Sequence, residues 1–164
     1  MLKEKYTIKD FLPLIVIFAI ILGVASLITL IVDGNFFFWM RMFMGVFFII
    51  FGALKVRKLK DFASAYKEYD LIAKRSDLYA HMYPFIELAL GIFFLIGVAI
   101  MATNIITLII MIISALGVYL KLRTGEKIMC ACLGTVFKVP MTWVTLFEDL
   151  LMALMAGVMI FYMT

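Results

Sequence analysis

The pattern of hydrophobic and polar positions divides the chain into five long apolar stretches separated by short polar links. A helix that crosses a bilayer needs roughly 20 mostly apolar residues. The second stretch is expected to end before Lys55, which opens a basic cluster too costly to bury in lipid. The third and fourth are expected to meet in a hairpin at Thr103 and Asn104. The predicted transmembrane helices cover residues 11–32, 36–54, 83–102, 105–120 and 140–163.

Residues 61–79, between the second and third stretches, show a different pattern. Apolar and aromatic residues, among them Phe62, Tyr66 and Tyr69, recur every three or four positions between charged residues. This spacing predicts an amphipathic helix that lies in the membrane interface with its tyrosines at headgroup depth. Such a helix serves either as a connector or as a lid over the segment that follows the fourth span.

Composition agrees with a polytopic membrane protein that forms one all-α domain over residues 1–164. Of the 164 residues, 66% are apolar and 16% charged, far from the usual balance of globular proteins. The net charge of +4 does not indicate nucleic acid, because the basic residues stand beside apolar stretches. Apart from Arg41, all of them fall on one side of the predicted spans. The positive-inside rule then places the N-terminus in the cytoplasm and the C-terminus outside.

Three acids stand inside apolar stretches, where an ionisable residue is a functional candidate by default. Glu87 lies in the third span, and Glu148 and Asp149 lie in the fifth. Glu87 serves either as a carboxylate that hydrogen-bonds a neighbouring helix or as part of a site. Glu148 lies deeper, and Asp149 projects about 100° away from it round the helix, so the two acids are expected to have different partners.

The two cysteines of the chain, Cys130 and Cys132, stand one residue apart between the fourth and fifth spans. On a regular helix they would point about 200° apart, so they can cooperate only in a loop or turn. Two close thiols either exchange electrons as a dithiol and disulfide or share a soft metal ion. Two cysteines are too few for a closed zinc site.

A stripe of methionines on the fifth span supports a metal-binding alternative. Spacings of three and four residues place six side chains on one helical face: Met141, Thr145, Glu148, Met152, Met155 and Met159. Such a stripe is usually packing, because methionine fills irregular gaps. The alternative is a Cu(I) site formed by Cys130, Cys132, Met141 and Met152.

Several short motifs, in this order, resemble the MauE/DoxX group of redox-associated membrane proteins. They are Gly52 and Lys55, then Phe62 and Tyr69, then Pro84, Glu87 and Gly91, and finally Arg123-Thr124-Gly125 and Cys130-Ala131-Cys132-Leu133-Gly134. The Cys-Ala-Cys-Leu-Gly version is similar to a bacterial branch often labelled heavy-metal-related. The resemblance implies a four-helix core, to which the first span is an addition, and a thioredoxin-like partner during disulfide formation in a periplasmic enzyme.

These observations lead to two active hypotheses for a multi-pass protein of a bacterial-type inner membrane. In the first, Cys130 and Cys132 carry electrons between a thioredoxin-like protein and an acceptor such as a quinone, and Glu87 and Glu148 exchange protons near the thiols. In the second, the protein binds or transports a soft metal in concert with a metal-handling protein. Charge places the thiols on the cytoplasmic face, whereas a periplasmic partner requires the opposite face. A scaffold with tolerated cysteines is the third alternative.

Overall fold

The computed structural model describes residues 8–124 and 143–163, with side chains from Phe11 onward. These residues form α-helices joined by turns, and they contain no strand, which confirms the all-α prediction. Five of the helices are long and apolar enough to cross a membrane, so the protein is a multi-pass membrane protein. The six helices are α1 (Ile8–Ile31), α2 (Phe36–Arg57), α3 (Leu59–Tyr66), α4 (Asp77–Ile96), α5 (Ile100–Thr124) and α6 (Trp143–Met163).

Two helix pairs form the centre of the bundle. α2 packs along α4, α5 packs along α6, and smaller contacts of α4 with α5 and of α2 with α6 join the pairs. Small residues allow the close approach of α2 and α4: a Cβ atom at Gly52 would lie 3.2 Å from the carbonyl oxygen of Pro84, and one at Gly91 would lie 3.0 Å from the amide nitrogen of Ile49. Close packing through small residues is how helices associate in lipid.

Helix α1 lies at the edge of the bundle and packs against α2. Most of its side chains face outward, and the buried ones are Leu14, Ile21 and Ala25. Phe18 packs against the rings of the α2 phenylalanines, and Trp39 Nε1 donates a hydrogen bond to Ser26 Oγ at 3.0 Å. The outward face of α1 is apolar, as a helix in contact with lipid requires.

The turn between α4 and α5 is not where the sequence predicted it. Gly97 ends α4 in the left-handed conformation, with φ of +75°, which glycine adopts without strain. Thr103 and Asn104 instead lie buried in α5, where their side chains donate hydrogen bonds to backbone carbonyls four residues earlier. The spans predicted at 83–102 and 105–120 are therefore wrong in their bounds, because polar side chains that donate to backbone carbonyls were interpreted as a turn.

The predicted interfacial helix over 61–79 is also wrong. Helix α3 ends at Tyr66, turns follow, and α4 begins at Asp77 behind the N-cap Ser76. Phe62, Tyr66 and Tyr69 are buried against other side chains of the protein. The interruption has a local cause: both Ile72 and Ala73 donate backbone hydrogen bonds to the carboxylate of Asp70, at 2.9 and 2.8 Å, and hold the chain in a turn.

Helix α2 continues past its predicted end at Leu54 and includes Lys55, which is 5% exposed. The predicted end of this span is therefore wrong, because Lys55 is buried inside the protein, for a reason given below. Helix α6 is described from Trp143, so the predicted start at Pro140 lies outside the described residues. The predicted stripe on α6 is confirmed as a buried face from Thr145 to Met159, while Met141 lies outside the described residues.

Candidate functional site

A buried ion pair joins α2 to α4. Lys55 Nζ lies 2.5 Å from Glu87 Oε1, and the two side chains are 7% and 2% exposed. The ammonium group also lies over the rings of Phe62 and Tyr83, 5.6 and 5.1 Å from their centroids. A charge inside a protein is tolerated when it is paired and when further contacts replace water. This pairing explains why α2 can bury Lys55.

A small cavity lies beside this pair. The space open to the centres of water-sized molecules is about 20 Å³, which is enough for about one water molecule. Four of the five membrane-spanning helices contribute to its lining, as do α3 and the turn that follows it. The lining includes Lys55, Tyr66, Glu87, Ser114 and Glu148.

The acids around the cavity differ in their partners. Glu148 is 4% exposed, and its Oε1 has no hydrogen-bond partner among the described residues. The same holds for Glu87 Oε2, the oxygen that does not contact Lys55. Asp149 accepts a hydrogen bond from Ser114 Oγ at 2.8 Å. Glu148 and Asp149 thus do not share a partner, as their spacing on a helix predicted, although both border the cavity.

Aromatic side chains close the cavity on the side of α3. Tyr66, Tyr69 and Tyr83 line it, and all three are buried. The hydroxyl of Tyr66 donates a hydrogen bond to Asp70 Oδ2 at 2.9 Å, which ties the end of α3 to the following turn. Burial raises the pKa of Tyr66 well above its usual value, and the charge interactions with Tyr83 and Asp70 raise it further. The phenol is therefore neutral at ordinary pH and acts as a hydrogen-bond donor.

The cavity lies toward one end of the bundle. Lys55 is in the last turn of α2, and Glu148 is five residues after the start of α6, or about 7 Å along the helix. Residues 125–142, which contain both cysteines, connect the end of α5 to the start of α6 and are therefore attached at this same end. The candidate acids thus lie toward the end of the molecule at which α5 ends at Thr124 and α6 begins at Trp143.

The structure brings together two of the site residues predicted from sequence. Glu87 and Glu148 lie on different helices and border one cavity. Met152 is buried in the apolar core, 1% exposed. Cys130, Cys132 and Met141 lie outside the described residues. Catalytic or metal-binding roles for these six residues stay predictions.

Sequence reasoning did not identify the ion pair or the polar residues of α5 and of the turn after α3. Lys55 was interpreted as the start of a basic flank, and Ser114 and Asp70 were not considered. A signal for the pair was present, because Lys55 and Glu87 are charged residues of opposite sign in one series of motifs. A lysine at the end of an apolar stretch and an acid near the start of a later one are candidates to pair inside the membrane.

Within residues 8–124 and 143–163 there is no group of three or more His, Cys, Asp and Glu side chains placed to hold a metal ion. His81, the one histidine of the chain, is partly exposed and its Nδ1 lies 2.9 Å from the carbonyl oxygen of Asp77 in the preceding turn.

Comparisons with known proteins add one match. The family model described as "Methylamine utilisation protein MauE" matches residues 33–162, which is well over half of the chain. The match begins just after α1 and ends within α6. Neither the curated proteins nor the solved structures contain a match. The predicted resemblance to MauE is thereby confirmed, and this multi-pass membrane protein belongs to the MauE family.

Proposed function

We propose that this MauE-family protein is a thiol-redox protein of the inner membrane, in which Cys130 and Cys132 cycle between a dithiol and a disulfide. The observation that carries the proposal is the cavity bordered by Glu87 and Glu148, with Lys55 beside them, at the end of the bundle to which the cysteine segment is attached. Thiol chemistry needs groups that accept and donate protons, because the thiolate is the reacting species.

The proposed cycle transfers two electrons. A thioredoxin-like partner in its dithiol form reduces the Cys130–Cys132 disulfide and leaves as a disulfide, by way of a mixed disulfide. An acceptor of the quinone class then takes two electrons and two protons from the two thiols and restores the disulfide. The family description names methylamine utilisation, and the resemblance to MauE implies disulfides of a periplasmic enzyme as the final product.

The proposal also covers the relation of this protein to the wider MauE/DoxX group and its orientation in the membrane. The order of motifs and the version Cys-Ala-Cys-Leu-Gly support a relation to DoxX proteins and to the branch labelled heavy-metal-related. Helices α2, α4, α5 and α6 correspond to the four-helix core and α1 to an addition, since the family match starts after α1. The distribution of Lys and Arg supports a cytoplasmic N-terminus.

The chain offers a clean test because it contains no thiols besides Cys130 and Cys132. The native protein in intact cells is treated with a thiol-alkylating reagent, and the mass of the isolated chain then reports the fraction of the pair that is oxidised. We expect a mixture that becomes fully reduced when the quinone pool is kept reduced. The variants Glu87→Gln and Glu148→Gln should slow reoxidation, whereas Glu68→Gln, the same change at an exposed acid, should not.

Two results would contradict the proposal. One is a pair that stays fully reduced in cells with an oxidised quinone pool, and the other is unimpaired disulfide formation in a Cys130→Ser/Cys132→Ser strain. A membrane-impermeant alkylating reagent in the same experiment tells which face carries the thiols. Labelling from outside would contradict the orientation proposed from charge.

A soft-metal role is the second candidate, because Met152, Met155 and Met159 share a buried face of α6. In this alternative Cu(I) binds Cys130, Cys132, Met141 and Met152. Titration of the reduced protein with Cu(I) separates the two functions. Stoichiometric binding that is lost in Met152→Leu supports the metal role, while Leu150→Met, a change on the exposed face of α6, is the matched control.

A further inference from the structure

Two buried carboxylate oxygens border the same cavity without a hydrogen-bond partner among the described residues. They are Glu87 Oε2 and Glu148 Oε1, on side chains that are 2% and 4% exposed. Ionised carboxylates only accept hydrogen bonds, so these two oxygens cannot satisfy each other. Buried polar atoms are nearly always paired, with protein or with ordered water. These two oxygens therefore indicate hydrogen-bond donors that the described protein atoms do not supply.

The charges around the cavity point to what is missing. Among the described residues, three carboxyl groups border it, from Glu87, Glu148 and Asp149, and Lys55 is the one cation in its lining. Lys55 contacts Glu87, and Asp149 has the hydroxyl of Ser114, so Glu148 is left with neither. A buried charge without a partner is so costly that the group takes up a proton instead. Among the described residues, the polar side chains that line the cavity together with Glu148 are Lys55, Tyr66, Tyr69, Tyr83, Glu87, Ser114, Thr145 and Asp149.

We propose that the cavity is a proton-binding site, in which Glu148 holds an exchangeable proton and its carboxyl group is hydrogen-bonded through one water molecule to Glu87 Oε2. One proton and one water satisfy both oxygens: the carboxyl group of Glu148 donates to the water, and the water donates to Glu87. The cavity has room for about one water molecule. Contact with the Lys55 ammonium group favours the ionised form of Glu87, which can accept a hydrogen bond.

The existence of this site is independent of the proposed function, and its use by the thiols rests on that function. When a partner thiolate opens the Cys130–Cys132 disulfide, one sulfur leaves as a thiolate. Glu148 gives its proton to this thiolate, the S–H bond forms, and Glu148 remains as a carboxylate. It recovers a proton from water when the cycle is complete. Glu148 is a positioned proton donor in this step.

Infrared spectroscopy of the Cys130→Ser/Cys132→Ser protein tests the site without any thiol chemistry. We expect a carbonyl-stretch band of a protonated carboxyl group at neutral pH. The band should shift when the chain carries isotopically labelled glutamate and when water is exchanged for deuterium oxide. It should vanish in Glu148→Gln and persist in Glu68→Gln. Labelling needs no substitution at the site, so the test stands even if Glu148→Gln fails to fold.

The role of Lys55 has its own outcome. In Lys55→Met, Glu87 loses its cation and should take up a proton of its own. The site then holds two protonated carboxyl groups, and the carbonyl-stretch band should grow accordingly. Three results would each overturn the proposal. They are the absence of a protonated carboxyl band at neutral pH, a band that shifts with labelled aspartate instead of labelled glutamate, and a band that does not grow in Lys55→Met. The thiol assay can fail while the band is present, so the two proposals fail separately.

Discussion

The ion pair between Lys55 and Glu87 allows a quantitative test of the site. At the observed 2.5 Å, two unit charges attract by about 6 kcal/mol at an effective dielectric constant of about 20. Removing each ion from water costs several kcal/mol. The two contributions nearly cancel, so the intact pair adds little net stability. An orphaned partner, by contrast, keeps the cost of its own burial.

This reasoning predicts strong coupling in a double-mutant cycle. Lys55→Met and Glu87→Met should each lower the free energy of unfolding by about 3–5 kcal/mol, less where the orphaned group becomes neutral. The double variant should lie close to the native protein, because methionine fills the space and no charge remains buried. The free energies are measured by reversible unfolding in mixed micelles with increasing detergent denaturant, followed by tryptophan fluorescence.

A second ion pair in the chain is a matched control. Lys67 Nζ contacts Asp77 Oδ1, but these side chains are 37% and 67% exposed. The same cycle there should give a coupling of less than about 1 kcal/mol. If the effects of Lys55→Met and Glu87→Met simply added, to within about 0.5 kcal/mol, the two residues would not form the buried pair and the explanation for burying Lys55 would be refuted.

Two further predictions use the same unfolding measurement. A Cβ at Gly117 would lie 2.6 Å from the carbonyl oxygen of Tyr69, so Gly117→Ala should lower the free energy of unfolding by about 1–3 kcal/mol. Gly23 has open space around it, so Gly23→Ala should be neutral or stabilise α1 by up to about 1 kcal/mol. Equal effects of the two substitutions would contradict the packing of the turn after α3 on α5. Burial raises the pKa of Tyr66 in the folded state. As the pH rises, the unfolded chain therefore loses the phenol proton first, at the ordinary tyrosine pKa of about 10. The stability contributed by Tyr66 is therefore complete below that pH and falls as the pH rises above it. Tyr66→Phe should therefore make the loss of stability at alkaline pH shallower. It should also lower the free energy of unfolding at neutral pH by about 1–3 kcal/mol, because Asp70 Oδ2 loses its hydrogen-bond donor. An unchanged alkaline slope would contradict a raised pKa of Tyr66 in the folded protein.

The long apolar helices were predictable because lipid imposes one demand on every span. Backbone groups in a bilayer must be hydrogen-bonded within the segment, so a run of apolar residues long enough to cross becomes a helix whatever its neighbours are. That is why α1 and α6 end within a residue of their predicted C-terminal ends at 32 and 163. The face of α6 from Thr145 to Met159 was predictable for a similar reason, since helical spacing depends on the helix alone.

The errors fall where a polar residue has two alternatives that only its surroundings can decide. Thr103 and Asn104 indicate a turn as readily as a buried helix. Their hydrogen bonds to the carbonyl oxygens of Ala99 and Ile100, four residues earlier, favour the helix. Asp70 ends a segment that otherwise has helical spacing, because its carboxylate binds backbone N–H groups and Tyr66 inside the protein. The local sequence permits both a helix and a turn at these positions, with similar free energies, because short polar side chains can hydrogen-bond the backbone in either conformation.

The sequence by itself determined that this chain is a multi-pass helical membrane protein of the MauE family with acids inside its spans, because apolar length and motif order are properties of the linear chain. Only the tertiary structure decided that Lys55 is buried, that it pairs with Glu87, and that Glu148 faces the same cavity. The physical reason is that the cost of a buried charge depends on what lies within a few ångströms of it. Residues 32 positions apart along the chain become such neighbours only when α2 packs on α4.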